Sequence, residues 1–188
     1  MDVNTHADFL KSTVKLFLYY KDLGEKAIGQ LEEKQLFEIF NENSNSIAII
    51  INHLNGNMIS RWTDFLHSDG EKSWRKRDSE FEDVINSKLQ LMNLWNEGWN
   101  CIMKALESLV PEDLEKIVYI RNEGHTVFEA IIRQLAHYSY HVGQIIYAAK
   151  ILKQGEWNSL SIPKKASDQY NKSKFESEKK DKFFTDEV

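Results

Sequence analysis

His137-Tyr-Ser-Tyr-His141-Val-Gly-Gln144 places two imidazoles four residues apart inside a long run with helical spacing. Positions i and i+4 of an α-helix lie on one face, one turn apart, so His137 and His141 can reach the same point in space. At about 100° per residue, Ala130, Gln134 and Ala148 project from the same stripe, and Val127, Ile131, Tyr138, Val142, Ile145 and Ala149 fill the arc beside it. The two histidines therefore border an apolar face, with alanines above and below leaving room that bulky side chains would close. This is metal-ligand spacing. Read without a metal, it is a pair of core or surface histidines, each satisfied by a hydrogen bond.

Thr126-Val-Phe-Glu129 is a capping box that starts this helix, and the glycine of Gln154-Gly155 stops it. Three earlier helices are expected. The first opens with Thr5 as N-cap and Asp8 in its first turn, and keeps apolar spacing from Phe9 to Leu31; His6, in the frayed first turn, is expected to be solvated. The second starts at Asn45 or Ser46 and runs through Ile50, Leu54, Met58 and Trp62 to Phe65. His53 lies deep within it, on a face shared with Ile50 and Asn57. Ser79-Glu-Phe-Glu82 reads as a capping box for the third, whose Phe81, Ile85, Leu89, Met92, Trp95, Trp99, Met103 and Leu106 form an apolar stripe ending before Pro111. Tryptophan and methionine at this spacing mean core or a dimer interface. Glu71-Lys-Ser-Trp74-Arg75-Lys-Arg77-Asp78 reads as a polar connection whose charges partly cancel, and Asn122-Glu-Gly124 as a turn after the extended Ile117-Val-Tyr-Ile-Arg121.

At 188 residues the chain suits one domain, read as a helical bundle over residues 1–170 followed by a polar tail over residues 171–188. Two prolines and eight glycines leave long helices uninterrupted, so the fold class is all-α with an irregular C-terminal extension. A net charge of −5, with basic residues scattered among acidic ones, gives no electrostatic support for binding nucleic acid. No segment approaches the roughly 20 apolar residues of a membrane span, and the first residues lack a signal peptide's pattern, so a cytoplasmic location is expected. The single cysteine, Cys101, permits no internal disulfide and no cysteine-rich zinc site; any metal must be held by histidines and carboxylates. Cys101 reads as a small core residue.

A histidine midway along the second helix, followed by H-x-x-x-H-x-G-Q on the fourth, resembles the DinB-like, or YfiT-like, superfamily of metalloenzymes. The likeness extends to Asn52-His-Leu-Asn-Gly-Asn-Met58, Ser60-Arg-Trp-Thr-Asp-Phe65, Asp69-Gly-Glu-Lys72, His125-Thr-Val127 and Arg133-Gln134, which resemble an uncharacterised subfamily, and it covers roughly residues 5–170. The resemblance implies a four-helix bundle of the DinB/YfiT type in which His53, His137 and His141 hold one divalent ion. Zinc, nickel and iron all suit three imidazoles. Some relatives are thiol S-transferases using low-molecular-weight thiols and others are hydrolases, so the resemblance implies a small-molecule substrate, with a thiol as one choice. The alternative is a non-catalytic, metal- or ligand-binding dimeric bundle. A homodimer is expected from Trp95, Trp99 and Met103 and from the dimers among similar bundles.

Three neutral imidazoles leave a divalent ion with open positions, as catalytic sites do, where a water or a thiol can be ionised. Asn57 and Gln134 are the nearest amides expected to orient the ligand rings, and Tyr138 or Tyr140 could orient substrate. His125 is expected to be a turn residue satisfied by backbone. An unperturbed imidazole protonates near 6.5, so metal affinity is expected to fall below about pH 6.

Overall fold

The computed structural model describes residues 3–186 and is mostly helical. Four long helices share one core: α1 (Val3–Ile28), α2 (Ile47–Trp62), α3 (Lys88–Glu107) and α4 (Val127–Leu152). The principal pairings are α2 with α3 and α1 with α4, closed by contacts of α2 with α4 and α1 with α3. Phe17 of α1, Trp99 of α3 and Tyr138 of α4 meet at the centre, their ring centroids 6.0–6.4 Å apart. All three are fully buried, and side chains of this size contribute roughly 1.5–3 kcal/mol each by leaving water. Trp95 and Trp99 both lie in this core, so two of the three residues that suggested a dimer interface are unavailable to a partner; Met103 is half-buried.

Local chemistry sets most helix ends. Ser46 accepts a 3.1 Å bond from the Ile49 N–H to start α2, and Thr126 and Glu129 form the expected capping box at the start of α4. The third helix differs from its sequence reading. Ser79-Glu-Phe-Glu82 opens no helix: residues 77–81 form a short 3-10 turn, and α3 starts at Lys88 with Ser87 as its cap. The reason is tertiary. Glu80 is drawn inward onto His53 and Arg75, and Phe81 stacks on the His53 ring with centroids 4.8 Å apart, so these two residues are held by α2 and Arg75 in a short turn rather than carried into a helix. α1 stops at Ile28 and α2 at Trp62, each three residues short of its expected limit.

Between α3 and α4 the chain makes a two-stranded antiparallel hairpin, β1 (Ile117–Ile120) and β2 (Glu123–Thr126), a small sheet in a chain read as all-α. Its turn is Arg121-Asn122, at φ 56° and 62°, and Gly124 lies within β2 rather than in the turn. Two consecutive left-handed residues give the tight turn that matches strand twist. Asp69 makes this possible: its carboxylate accepts the N–H groups of Glu71 at 2.7 Å and of Arg121 and Asn122 at 2.8 Å. Burial alone would raise the Asp69 carboxyl, but these backbone bonds outweigh it and hold it below the ordinary range.

His6, expected in solvent in a frayed first turn, is buried, and α1 already begins at Val3, so the turn that carries it is formed. Beyond Gly155, at φ 89°, the chain is irregular until α5 (Ser167–Phe175), which has no buried residue. Lys15 pairs with Asp186 and so ties the tail to α1. Among the described residues, no helix is long and apolar enough to cross a membrane.

Candidate functional site

Helix α2 contributes His53 and α4 contributes His137 and His141. One ring nitrogen from each lies within 4.8 Å of the others. Ring centroids are 4.6 Å apart for His137–His141, 5.0 Å for His53–His141 and 5.6 Å for His53–His137. The register that aligns them is fixed by a buried chain of hydrogen bonds: Trp62 Nε1 donates to the Tyr138 hydroxyl at 3.0 Å, which donates to Asn57 Oδ1 at 3.0 Å. Tyr138 is thus a fastener between α2 and α4, shut off from any substrate, and burial raises its phenol.

Each ring's orientation follows from its partner. Nδ1 of His53 donates to Glu80 Oε2 at 2.8 Å, since an ionised carboxylate can only accept. Glu80 in turn is gripped by Arg75 through both oxygens, at 2.7 Å from Nε to Oε1 and 2.9 Å from Nη2 to Oε2. Burial would raise the Glu80 carboxyl; the bonds from His53 and Arg75 outweigh that and lower it. Nδ1 of His141 faces Gln144 Oε1 at 2.7 Å, and the Gln144 amide nitrogen donates to the Tyr140 hydroxyl at 3.0 Å. Both rings therefore carry their proton on Nδ1 and offer a lone pair at Nε2. Nε2 of His137 sits 3.0 Å from Nε2 of His141, a spacing that needs one proton or one cation between them.

Burial, followed by the charge His141 would carry, pushes His137 down to about 3, and burial lowers His141 as well. His137 therefore stays neutral well below pH 6 and His141 shifts in the same direction, so for them the acid limit expected of unperturbed imidazoles moves to lower pH. Neutral rings whose Nε2 atoms converge, two of them with Nδ1 held, are the donor set a divalent ion needs.

The amides expected to orient the ligands do other work. Asn57 serves Tyr138, and Gln134 Oε1 is buried without a partner. Glu80 and Arg75 were hidden in segments read as a capping box and as a polar connection; their only sequence signal is charge close to a tryptophan in an otherwise polar run. Gln144, at the end of the H-x-x-x-H-x-G-Q motif, was in plain view. His125 is held by a side chain rather than by backbone, its Nε2 lying 3.1 Å from Nη1 of Arg133. Cys101 is half-buried beside Thr63 and Met58, and burial raises its thiol, so it is no nucleophile at neutral pH.

A family model described as Protein of unknown function (DUF1572) matches residues 4–166, most of the chain and all three histidines. The chain belongs to the DUF1572 family. No curated protein and no solved structure matches it. Within the DUF1572 match lie all four long helices from residue 4 onward and the hairpin, together with Glu80, Arg75 and Gln144, whereas α5 and the tail lie outside it.

Proposed function

We propose that this DUF1572 protein is a metal-dependent enzyme with a four-helix bundle of the DinB-like type, in which Nε2 of His53, His137 and His141 holds one zinc, nickel or iron ion. The observation that carries this reading is the pairing of convergence with orientation: the three rings meet, and two of them have Nδ1 engaged by Glu80 and Gln144. A divalent ion held by three imidazoles supplies Lewis acidity at open positions, enough to ionise a water or a thiol near neutral pH. The chain's own residues do the rest. Glu80 holds the tautomer of His53 and balances charge, but both its oxygens are engaged by His53 and Arg75, so it is a positioning residue rather than a proton acceptor. This favours chemistry on a nucleophile ionised at the ion itself, and the proposed reaction is thiol S-transfer or hydrolysis on a small molecule, with a low-molecular-weight thiol as cosubstrate in the first case.

Metal content measured on protein purified without added metal tests the reading. Wild type is expected to retain a stoichiometric divalent ion that His141→Ala loses while keeping its helical circular dichroism. Equal metal content in the two proteins would refute the site.

A further inference from the structure

Beside the three histidines is a cavity of about 220 Å³ whose wall includes five arginines, Arg61, Arg75, Arg77, Arg121 and Arg133, and no acidic residue. His53 and His137 form part of the same wall, so the cavity opens directly onto the histidine cluster. In a chain of net charge −5, this concentration of guanidinium groups needs an explanation. Like charges this close repel, and they are held together only in part by carboxylates behind the wall: Glu71 Oε2 takes Arg61 at 3.0 Å, Arg121 at 3.1 Å and Arg75 at 3.2 Å, and Glu80 takes Arg75. Among the described residues Arg77 and Arg133 have no carboxylate partner; Arg77 lies over the Phe81 ring at 5.1 Å and Arg133 meets the His125 ring. Two paired carboxylates against five guanidiniums leave positive charge in excess at the cavity wall.

Two buried polar atoms of the same wall are also unpartnered. Nε of Arg61 and Oε1 of Gln134 make no hydrogen bond, although their residues are only 7% and 4% exposed. A buried N–H without an acceptor costs about 1–3 kcal/mol, and a bound oxyanion would satisfy Nε of Arg61; Oε1 of Gln134 is itself an acceptor and adds nothing to the case for an anion.

We propose that this cavity is the binding site for an anionic group of the substrate, a carboxylate or a phosphate, which the arginines hold while the reacting end lies at the histidines. Guanidinium groups suit both anions, because their planar fork meets two oxygens at once. The volume lies below the roughly 300–1,000 Å³ of pockets for drug-sized ligands, so the group is one of a few heavy atoms rather than a nucleotide. The position of the reacting end rests on the metal-site reading; the anion site itself stands on the arginines alone.

The test is calorimetric titration of the metal-free full chain with inorganic phosphate and, separately, with malonate, using malonamide as the uncharged control. Saturable binding of at least one anion and none of malonamide is expected, and the tighter of the two identifies the oxyanion geometry. Arg77→Gln and Arg133→Gln, which break no ion pair of the core, are each expected to weaken that binding roughly tenfold or more, as loss of a charge-assisted hydrogen bond does. No saturable binding of either anion at low-millimolar concentration, or binding unchanged in both variants, overturns the proposal. Because metal is absent throughout, loss of the metal reading would leave this result intact, and failure here would leave His141→Ala free to support the metal site.

Discussion

Glu80 Oε2 accepts a 2.8 Å hydrogen bond from Nδ1 of His53, a residue 27 positions earlier in the chain. The bond joins an irregular segment to the middle of α2 and decides which nitrogen of His53 faces the histidine cluster. Glu80→Ala removes this acceptor and one anchor of Arg75. Metal affinity is expected to fall roughly 10–100-fold, as it does when an orienting partner of a ligand is lost. Stability should drop by about 3 kcal/mol, the low end for breaking a buried pair, because Glu71 still holds Arg75. Chelator competition and urea unfolding measure the two effects, and an unchanged affinity would show that Glu80 does not orient a ligand.

Gly56, one turn after Asn52, exists to let that carboxylate in. A Cβ at position 56 would stand 2.6 Å from Cδ of Glu80, well inside contact distance. The obstructing group is the end of a flexible side chain, so Gly56→Ala can be relieved by moving Glu80 away. The expected signature is a clear loss of metal affinity with a loss of stability no larger than that of Glu80→Ala, since the same bonds to His53 and Arg75 are given up. A large loss of stability with affinity intact would mean that the backbone, not Glu80, gives way.

Tyr138 fastens α4 to α2 through Trp62 and Asn57. Tyr138→Phe keeps the ring against Phe17 and Trp99 but leaves a buried indole N–H and a buried amide oxygen without their partner. The loss expected is about 1–3 kcal/mol. Since the register of His53 against His137 depends on this joint, metal affinity should fall in the same variant; denaturant titration and metal titration together check both.

The depressed imidazoles make the metal-free protein acid-sensitive. Burial, and next the repulsion from a charged His141, lower His137 from 6.5 in the unfolded chain to about 3 in the folded one. Between those values the unfolded chain binds more protons, so stability falls as pH decreases from about 6.5 toward 3 and gains nothing from this ring above that window. His141 shifts in the same direction. Tm of the metal-free protein measured across this range should fall with pH, and His137→Ala should flatten the slope. Identical slopes in the two proteins would show that the ring carries no such linkage.

The helical content and the histidine cluster were legible in the sequence for related reasons. Helical periodicity and the caps at Ser46 and Thr126 are local, so they survive whatever the rest of the chain does. His137 and His141 share a face because of the helix repeat itself, but nothing in the spacing could place His53 beside them; a family resemblance supplied that expectation, and the packing of α2 against α4 brings the ring within reach.

Elsewhere tertiary contacts overrode local signals or created what no local signal held. Ser79-Glu-Phe-Glu82 has the sequence of a helix start, yet burying Glu80 between His53 and Arg75 and stacking Phe81 on His53 hold the segment as a short 3-10 turn. Arg121-Asn122 turns the hairpin because Asp69, 52 residues before Arg121, supplies the acceptors for its N–H groups. The arginines look scattered along a chain of acidic balance, and only folding gathers five of them around one cavity. Sequence by itself determined the helices and the face on which two imidazoles sit, because those depend on neighbours within one turn. Only the tertiary structure decided the third imidazole's approach, the carboxylate that orients it and the charge of the cavity beside it, because Coulomb and hydrogen-bond energies depend on distance in space rather than along the chain.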